Sequence, residues 1–99
     1  MLLRERQTGE GLLVSVCDAE CLGETYEEGE VTLDVTEAFY GGDDAEAVDA
    51  DSVVNSLTRA SVANIVGEQS VSVAIDAGIV EEANVLSVDG TLHAQLVWM

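Results

Sequence analysis

The chain has 99 residues, 47% of them hydrophobic, and its twenty acidic side chains stand against three arginines and no lysine, giving a formal net charge of −17. The hydrophobic content argues against intrinsic disorder, which requires low hydrophobicity as well as high charge, and the length suits one compact domain over residues 1–99. No apolar run approaches the ~18 residues of a membrane span, and the N-terminus lacks a signal-peptide core, so we expect a cytoplasmic protein without membrane contact.

The acidic residues are spread along the chain instead of forming one tail. In dilute buffer their mutual repulsion opposes a compact state, whereas at molar salt the Debye length falls to about 3 Å and screens it. We therefore interpret the acidity as an adaptation to a salt-rich cytoplasm. The alternative is a functional surface that mimics nucleic acid or recognises a basic protein.

The first half of the chain predicts three strands. Two β-like runs, 2–8 and 12–17, flank Gly9-Glu10-Gly11, a break that suits a hairpin because glycine adopts positive φ. Residues 18–22 predict one helical turn, and residues 24–30 an acidic loop around Tyr26. The run 31–36 is the clearest strand, since its apolar residues alternate with polar ones.

The second half predicts two helices followed by a hairpin. Phe39-Tyr40-Gly41-Gly42 is interpreted as a turn, and Asp51-Ser52 caps a helix that runs to about Val66 and is ended by Gly67. A second helix spans about 68–77. Strands 84–88 and 91–98 are joined by Asp89-Gly90, a strong hairpin signal. These elements predict an α+β fold: a mostly antiparallel sheet of about five strands with two main helices packed on one face.

Four segments, in this order, resemble a small archaeal family known as domain of unknown function 424. They are Val16-Cys17-Asp18, Phe39-Tyr40-Gly41-Gly42, Ala63-Asn64-Ile65-Val66-Gly67-Glu68 and His93-Ala94-Gln95. The resemblance covers nearly the whole chain, and the missing lysine makes this member similar to a haloarchaeal one. It implies an archaeal source and a compact α/β fold, and it implies no activity.

Strand alternation places His93, the only histidine, with Gln95 on one polar face of the last strand. The pair either hydrogen-bonds a neighbouring strand or contacts a base. A general-base role for His93 would need a nearby acid or nucleophile. Cys17 and His93 would form a nucleophilic pair only within hydrogen-bond reach, and a buried, inert thiol is the alternative for Cys17.

Three other positions complete the candidate binding residues. Asn64 falls on the inner stripe of the predicted first helix, where its amide needs a partner, either another protein group or a ligand at the helix end. Tyr40 and Gly41 form a turn that could stack on a base, and Arg59 is one of very few cations. The predicted binding set is His93, Gln95, Asn64, Tyr40, Gly41 and Arg59.

The function that we infer from the sequence is a non-enzymatic module that binds RNA or a ribonucleoprotein, linked to translation or ribosome maturation. A protein–protein adaptor or homodimer is the alternative, and a small Cys/His hydrolase is a further one. We expect no cofactor and no metal, because two cysteines four residues apart and one histidine do not match zinc-site spacings. Arginines that cluster beside His93 would support an RNA partner, whereas arginines in separate ion pairs would weaken it.

Overall fold

The computed structural model describes residues 1–97. The elements in chain order are β1 (Leu2–Thr8), β2 (Gly11–Cys17), β3 (Thr25–Glu28), β4 (Val31–Asp34), α1 (Glu37–Tyr40), β5 (Glu46–Ala47), α2 (Ala50–Arg59), β6 (Val62–Val66), α3 (Glu68–Asp76), β7 (Leu86–Val88) and β8 (Thr91–Val97). None of the helices in this part of the chain is long and apolar enough to cross a membrane. The predicted extension of the last strand to Trp98 lies outside the described residues.

The structure confirms the α+β class and corrects the sheet. Six strands form one sheet in the order β5-β1-β2-β6-β8-β7, and β3 and β4 form a separate two-stranded sheet. The large sheet is mixed because β2 and β6 run parallel, while its other neighbours are antiparallel. The sheet is therefore mixed and has six strands, where the sequence predicted a mostly antiparallel sheet of about five.

The largest correction concerns the helix predicted to run to Val66. Helix α2 ends at Arg59, because Ala60 adopts extended dihedrals (φ −72°, ψ 142°). The next five residues, Val62–Val66, form the central strand β6, whose β-branched residues suit a strand bordered on both sides. Gly67 accordingly begins helix α3 at its N-cap position, with φ 109°, instead of ending the preceding helix.

Two local interpretations are also corrected, and one hairpin is confirmed. The segment around Tyr26 is strand β3 and not a loop, and Tyr40 ends the short helix α1, which Thr36 caps. The hairpin between β7 and β8 has positive φ at Asp89 (49°) and Gly90 (84°). These values are typical of the two-residue turn that an Asp-Gly pair favours.

The large sheet separates two groups of buried residues. On one face, α2 and α3 pack against β2, β6 and β8, with Val14, Val16, Val53, Leu57, Ala63, Ile65, Val71, Ala74 and Ala94 in the core. On the other face, one end of the sheet is covered by α1 and the β3–β4 hairpin, which bury Cys17, Cys21, Val35, Tyr40 and Val66. The rest of that second face has no layer of helices over it and holds the candidate site.

Candidate binding face

Side chains on the face of the large sheet away from α2 and α3 form two rows across four strands. The strand register places residues of β1, β2, β6 and β8 directly beside one another. Paired residues project to the same side of a sheet. We call these eight residues the acid-free face: the first row is Arg4, Ser15, Asn64 and Gln95, and the second is Arg6, Leu13, Val62 and Val97.

The distribution of charge sets the acid-free face apart from the rest of the surface. Asp18 is the one buried acidic residue in the described part of the chain, and all the others are exposed. None belongs to the eight residues of the face, which instead carry Arg4 and Arg6, two of the three arginines. Glu5 projects from β1 to the opposite side, where it meets Ser56 and Arg59 of α2. The face is thus a neutral-to-basic area on a strongly acidic protein.

Asn64 and Gln95 form an amide pair at the centre of this face. Asn64 lies on strand β6 opposite Gln95, so the helix-stripe placement predicted for Asn64 was wrong. The Gln95 Nε2 atom donates a hydrogen bond of 2.8 Å to the Asn64 Oδ1 atom. This bond leaves the Asn64 amino group and the Gln95 carbonyl oxygen as a donor and an acceptor without a partner within residues 1–97, a combination that matches the edge of a base.

The β1 end of the face lies next to helix α1. The Arg4 Nη1 atom donates to the Ala38 carbonyl, and its Nη2 atom is 3.8 Å from the Asp44 carboxylate. The Arg6 guanidinium lies over the ring of Phe39, 5.2 Å from its centre, which is a cation–π distance. Both arginines are therefore held above β1 by the segment that follows β4.

His93 is on the same side of the sheet as Gln95, two residues away along β8. It pairs with Val66 on one side and with Leu86 on the other, and it is half-buried. Burial lowers the pKa of His93 below its usual value of 6.5, so the ring is neutral at pH 7. A neutral imidazole offers one donor and one acceptor beside the amide pair.

Cys17 and His93 do not form a nucleophilic pair. They lie in the same row but are separated by Val66, two strand spacings or about 10 Å. Cys17 is fully buried, and burial together with the nearby Cys21 raises the pKa of its thiol to about 12. The thiol is therefore protonated and inaccessible, as expected for a buried structural cysteine.

The structure separates the other three residues of the predicted set from this face. Tyr40 is 4% exposed and packs in the second buried group, and Gly41 is also buried, because both lie where α1 joins the core. Burial raises the pKa of Tyr40. Arg59 lies on the helix side of the sheet, where its Nη2 atom is 2.6 Å from Glu5 Oε2. The three arginines therefore do not cluster beside His93, and Arg4 and Arg59 form separate ion pairs, so this criterion counts against an RNA partner.

The start of helix α3 is occupied by a side chain of the protein itself. The Asp18 carboxylate accepts hydrogen bonds from the backbone N–H groups of Gln69 (3.0 Å) and Ser70 (2.8 Å) and from the Ser70 hydroxyl (2.7 Å). A carboxylate at this position satisfies the free N–H groups and complements the helix dipole. The helix end beside Gly67, where a ligand was one of the two alternatives, is therefore occupied by Asp18 of the protein itself.

Arg4, Arg6 and Ser15 are not among the site residues predicted from the sequence. The available signal was the alternation along β1, which places Arg4 and Arg6 on one side, and a lone serine within an apolar strand. The neighbour of β2 on this side is β6, which pairs with it in parallel. Residues 62–66 were predicted to be helical, so this pairing could not be inferred from the sequence.

Comparison with known proteins identifies a family and a fold relative. The family model described as protein of unknown function (DUF424) matches residues 5–99. The crystal structure of an uncharacterized conserved protein from Methanopyrus kandleri is 27% identical, with a TM-score of 0.74 over 96% of this chain and 88% of that one. No curated protein sequence matches the chain significantly.

Proposed function

The chain belongs to the DUF424 family, and we propose that this member is a non-enzymatic cytoplasmic module that binds single-stranded RNA on its acid-free face. One observation carries the proposal. In a chain of net charge −17, this open sheet surface holds two of the three arginines and an outward-facing amide pair, and no acidic residue.

The electrostatics favour binding at high ionic strength. In dilute buffer the exposed carboxylates repel any polyanion at long range, whereas at molar salt the Debye length of about 3 Å leaves only local contacts. A polyanion then interacts only with the residues that it touches. On the acid-free face these are Arg4, Arg6 and neutral side chains; carboxylates lie at its β1 edge, where Asp44 is 3.8 Å from Arg4 and where Asp43, Asp44 and Glu46 line a cleft with Arg6. We propose accordingly that the exposed carboxylates are an adaptation to salt and not the recognition surface.

The chemistry of the face suits an unpaired RNA strand more than a duplex. Recognition of single-stranded RNA relies on contacts to the edges of unpaired bases, which amide side chains make well. Counterion release contributes little to affinity at molar salt, so hydrogen bonds and apolar contacts supply the binding free energy. The amide pair supplies the hydrogen bonds, and the row Leu13, Val62 and Val97 supplies the apolar contact.

A matched pair of substitutions tests this proposal. Val97 (61% exposed) lies on the acid-free face and Val31 (47% exposed) on β4, so both are exposed strand valines and tolerate a polar side chain. We expect V97E to weaken RNA binding at least tenfold, because it places a carboxylate against the strand, and V31E to leave it unchanged. The measurement is fluorescence anisotropy of labelled 12-nucleotide single-stranded RNA pools in 2 M KCl.

Two further results bear on the same proposal. A double substitution of Asn64 and Gln95 to alanine removes the amide pair and should also weaken binding at least tenfold, whereas R59Q on the helix side should leave it unchanged. Equal binding by V97E and V31E would contradict the proposal. Purification of a tagged copy from its native cells at high salt should recover ribosomal subunits or tRNA if the RNA partner belongs to translation.

A symmetric homodimer is the second candidate, favoured by the same distribution of charge. Two copies of this chain repel each other wherever carboxylates face carboxylates, and the acid-free face is a surface on which they can meet without that repulsion. Sedimentation equilibrium in 2 M KCl distinguishes the two functions. A dimer that V97E dissociates supports self-association, and a monomer that binds RNA supports the first proposal.

A further inference from the structure

Two buried polar atoms on the acid-free face have no hydrogen-bond partner within residues 1–97. They are the Arg4 Nε atom and the Ser15 hydroxyl oxygen. Arg4 and Ser15 are directly opposite each other on β1 and β2, so their Cα atoms are about 5 Å apart. Ser15 is only 1% exposed. Buried polar groups are nearly always paired, so two unpaired donors side by side indicate a missing acceptor.

The guanidinium of Arg4 is satisfied on one side only. Its Nη1 atom donates to the Ala38 carbonyl. The other edge, formed by Nε and Nη2, has no partner at Nε, and at Nη2 only the Asp44 carboxylate at 3.8 Å, which is beyond hydrogen-bond distance. The Asp44 side chain is 70% exposed, and an ion pair of this kind contributes little stability.

We propose that the Nε–Nη2 edge of Arg4 and the Ser15 hydroxyl bind a phosphodiester group of the RNA strand, which displaces Asp44. An arginine edge binds a phosphate with two parallel hydrogen bonds, and a serine hydroxyl on the next strand adds a third donor. The phosphate position then lies at the β1 end of the row that ends in Asn64 and Gln95, so one strand crossing the sheet contacts both. The inference rests on the proposed function and names the backbone contact within it.

Four variants test the phosphate position by anisotropy with the same RNA in 2 M KCl. S15A should weaken binding five- to tenfold while leaving the unfolding midpoint unchanged or higher, because it removes an unpaired buried hydroxyl. R4K keeps the positive charge but cannot donate two parallel hydrogen bonds to one phosphate, so it should weaken binding at least tenfold. D44A removes the competing carboxylate and should strengthen binding two- to fivefold. R59K is the matched control and should bind like the unmodified protein.

These experiments distinguish a failure of the phosphate position from a failure of the proposed function. RNA binding that V97E abolishes but S15A, R4K and D44A leave unchanged overturns the phosphate position and leaves the proposed function standing. If no RNA binds, the proposed function fails, and inorganic phosphate tests the position directly through the NMR signal of the Arg4 Nε–H group. A phosphate-induced shift of this signal that S15A reduces supports the phosphate position, and a signal that does not move at 100 mM phosphate overturns it.

Discussion

Replacing Asp18 by alanine should destabilise the protein by about 3 kcal/mol, mainly because the buried Ser70 N–H is left without an acceptor. Asp18 and Ser70 are both buried, and Asp18 accepts from the backbone N–H and the hydroxyl of Ser70 and from the backbone N–H of Gln69. Gln69 is exposed and can turn to water, whereas the buried Ser70 N–H cannot. A buried donor left without a partner costs about 1–3 kcal/mol, and the lost charge-assisted bonds add to this.

A local helix cap supplies the matched control for this prediction. Asp49 caps α2 by accepting from Ser52 N–H at 2.9 Å, but it is exposed, so D49A should cost clearly less than D18A. D18N keeps one oxygen for Ser70 and loses only the bond to Gln69, so it should cost about 1–2 kcal/mol. The assay is urea unfolding in 2 M KCl, followed by far-ultraviolet circular dichroism. If D18A costs no more than D49A, Asp18 does not secure α3 to the sheet as we argue.

Three other predictions concern conformation, protonation and salt. Gly67 has φ 109°, and a Cβ there would lie 2.3 Å from Asp18 Cγ, so G67A should destabilise by about 3 kcal/mol or more in urea unfolding. Gly78 has φ 74° with nothing within 4 Å, and G78A should cost only about 1 kcal/mol; equal losses would contradict the contact with Asp18. Burial lowers the pKa of His93 in the folded protein, so on acidification the histidine of the unfolded chain is protonated first. The stability that the neutral, buried His93 contributes is therefore complete above pH 6.5 and is lost as the pH falls through the folded pKa. H93Q should therefore lose less stability than the unmodified protein between pH 7.5 and 5.5, and parallel profiles would refute this. The thermal unfolding midpoint should be higher in 2 M than in 0.1 M KCl because salt screens the carboxylates, and equal midpoints would require the acidic surface to be reinterpreted as the recognition surface.

Local patterns in the sequence predicted those elements whose signals are themselves local. The hairpins β1–β2 and β7–β8 follow from Gly9-Glu10-Gly11 and Asp89-Gly90, and helix α3 from its apolar spacing and Gly78. Strand β6 was missed because its five residues are continuous with α2 in hydrophobicity, and no proline or glycine separates them. The extended conformation of Ala60 and the pairing of β6 with β2 and β8 are set by tertiary contacts, which single-sequence propensity does not contain.

The acid-free face shows why the function was harder to predict than the fold. Each strand contributes only two of its side chains to the face, and no run of adjacent residues identifies it. The sequence correctly grouped His93 with Gln95 because both lie on one strand, but it grouped Arg59 with them although the sheet lies between. Once the register is known, the absence of carboxylates from the face becomes visible. On a surface where acidic residues are the rule, we propose that the partner binds at the place that lacks them.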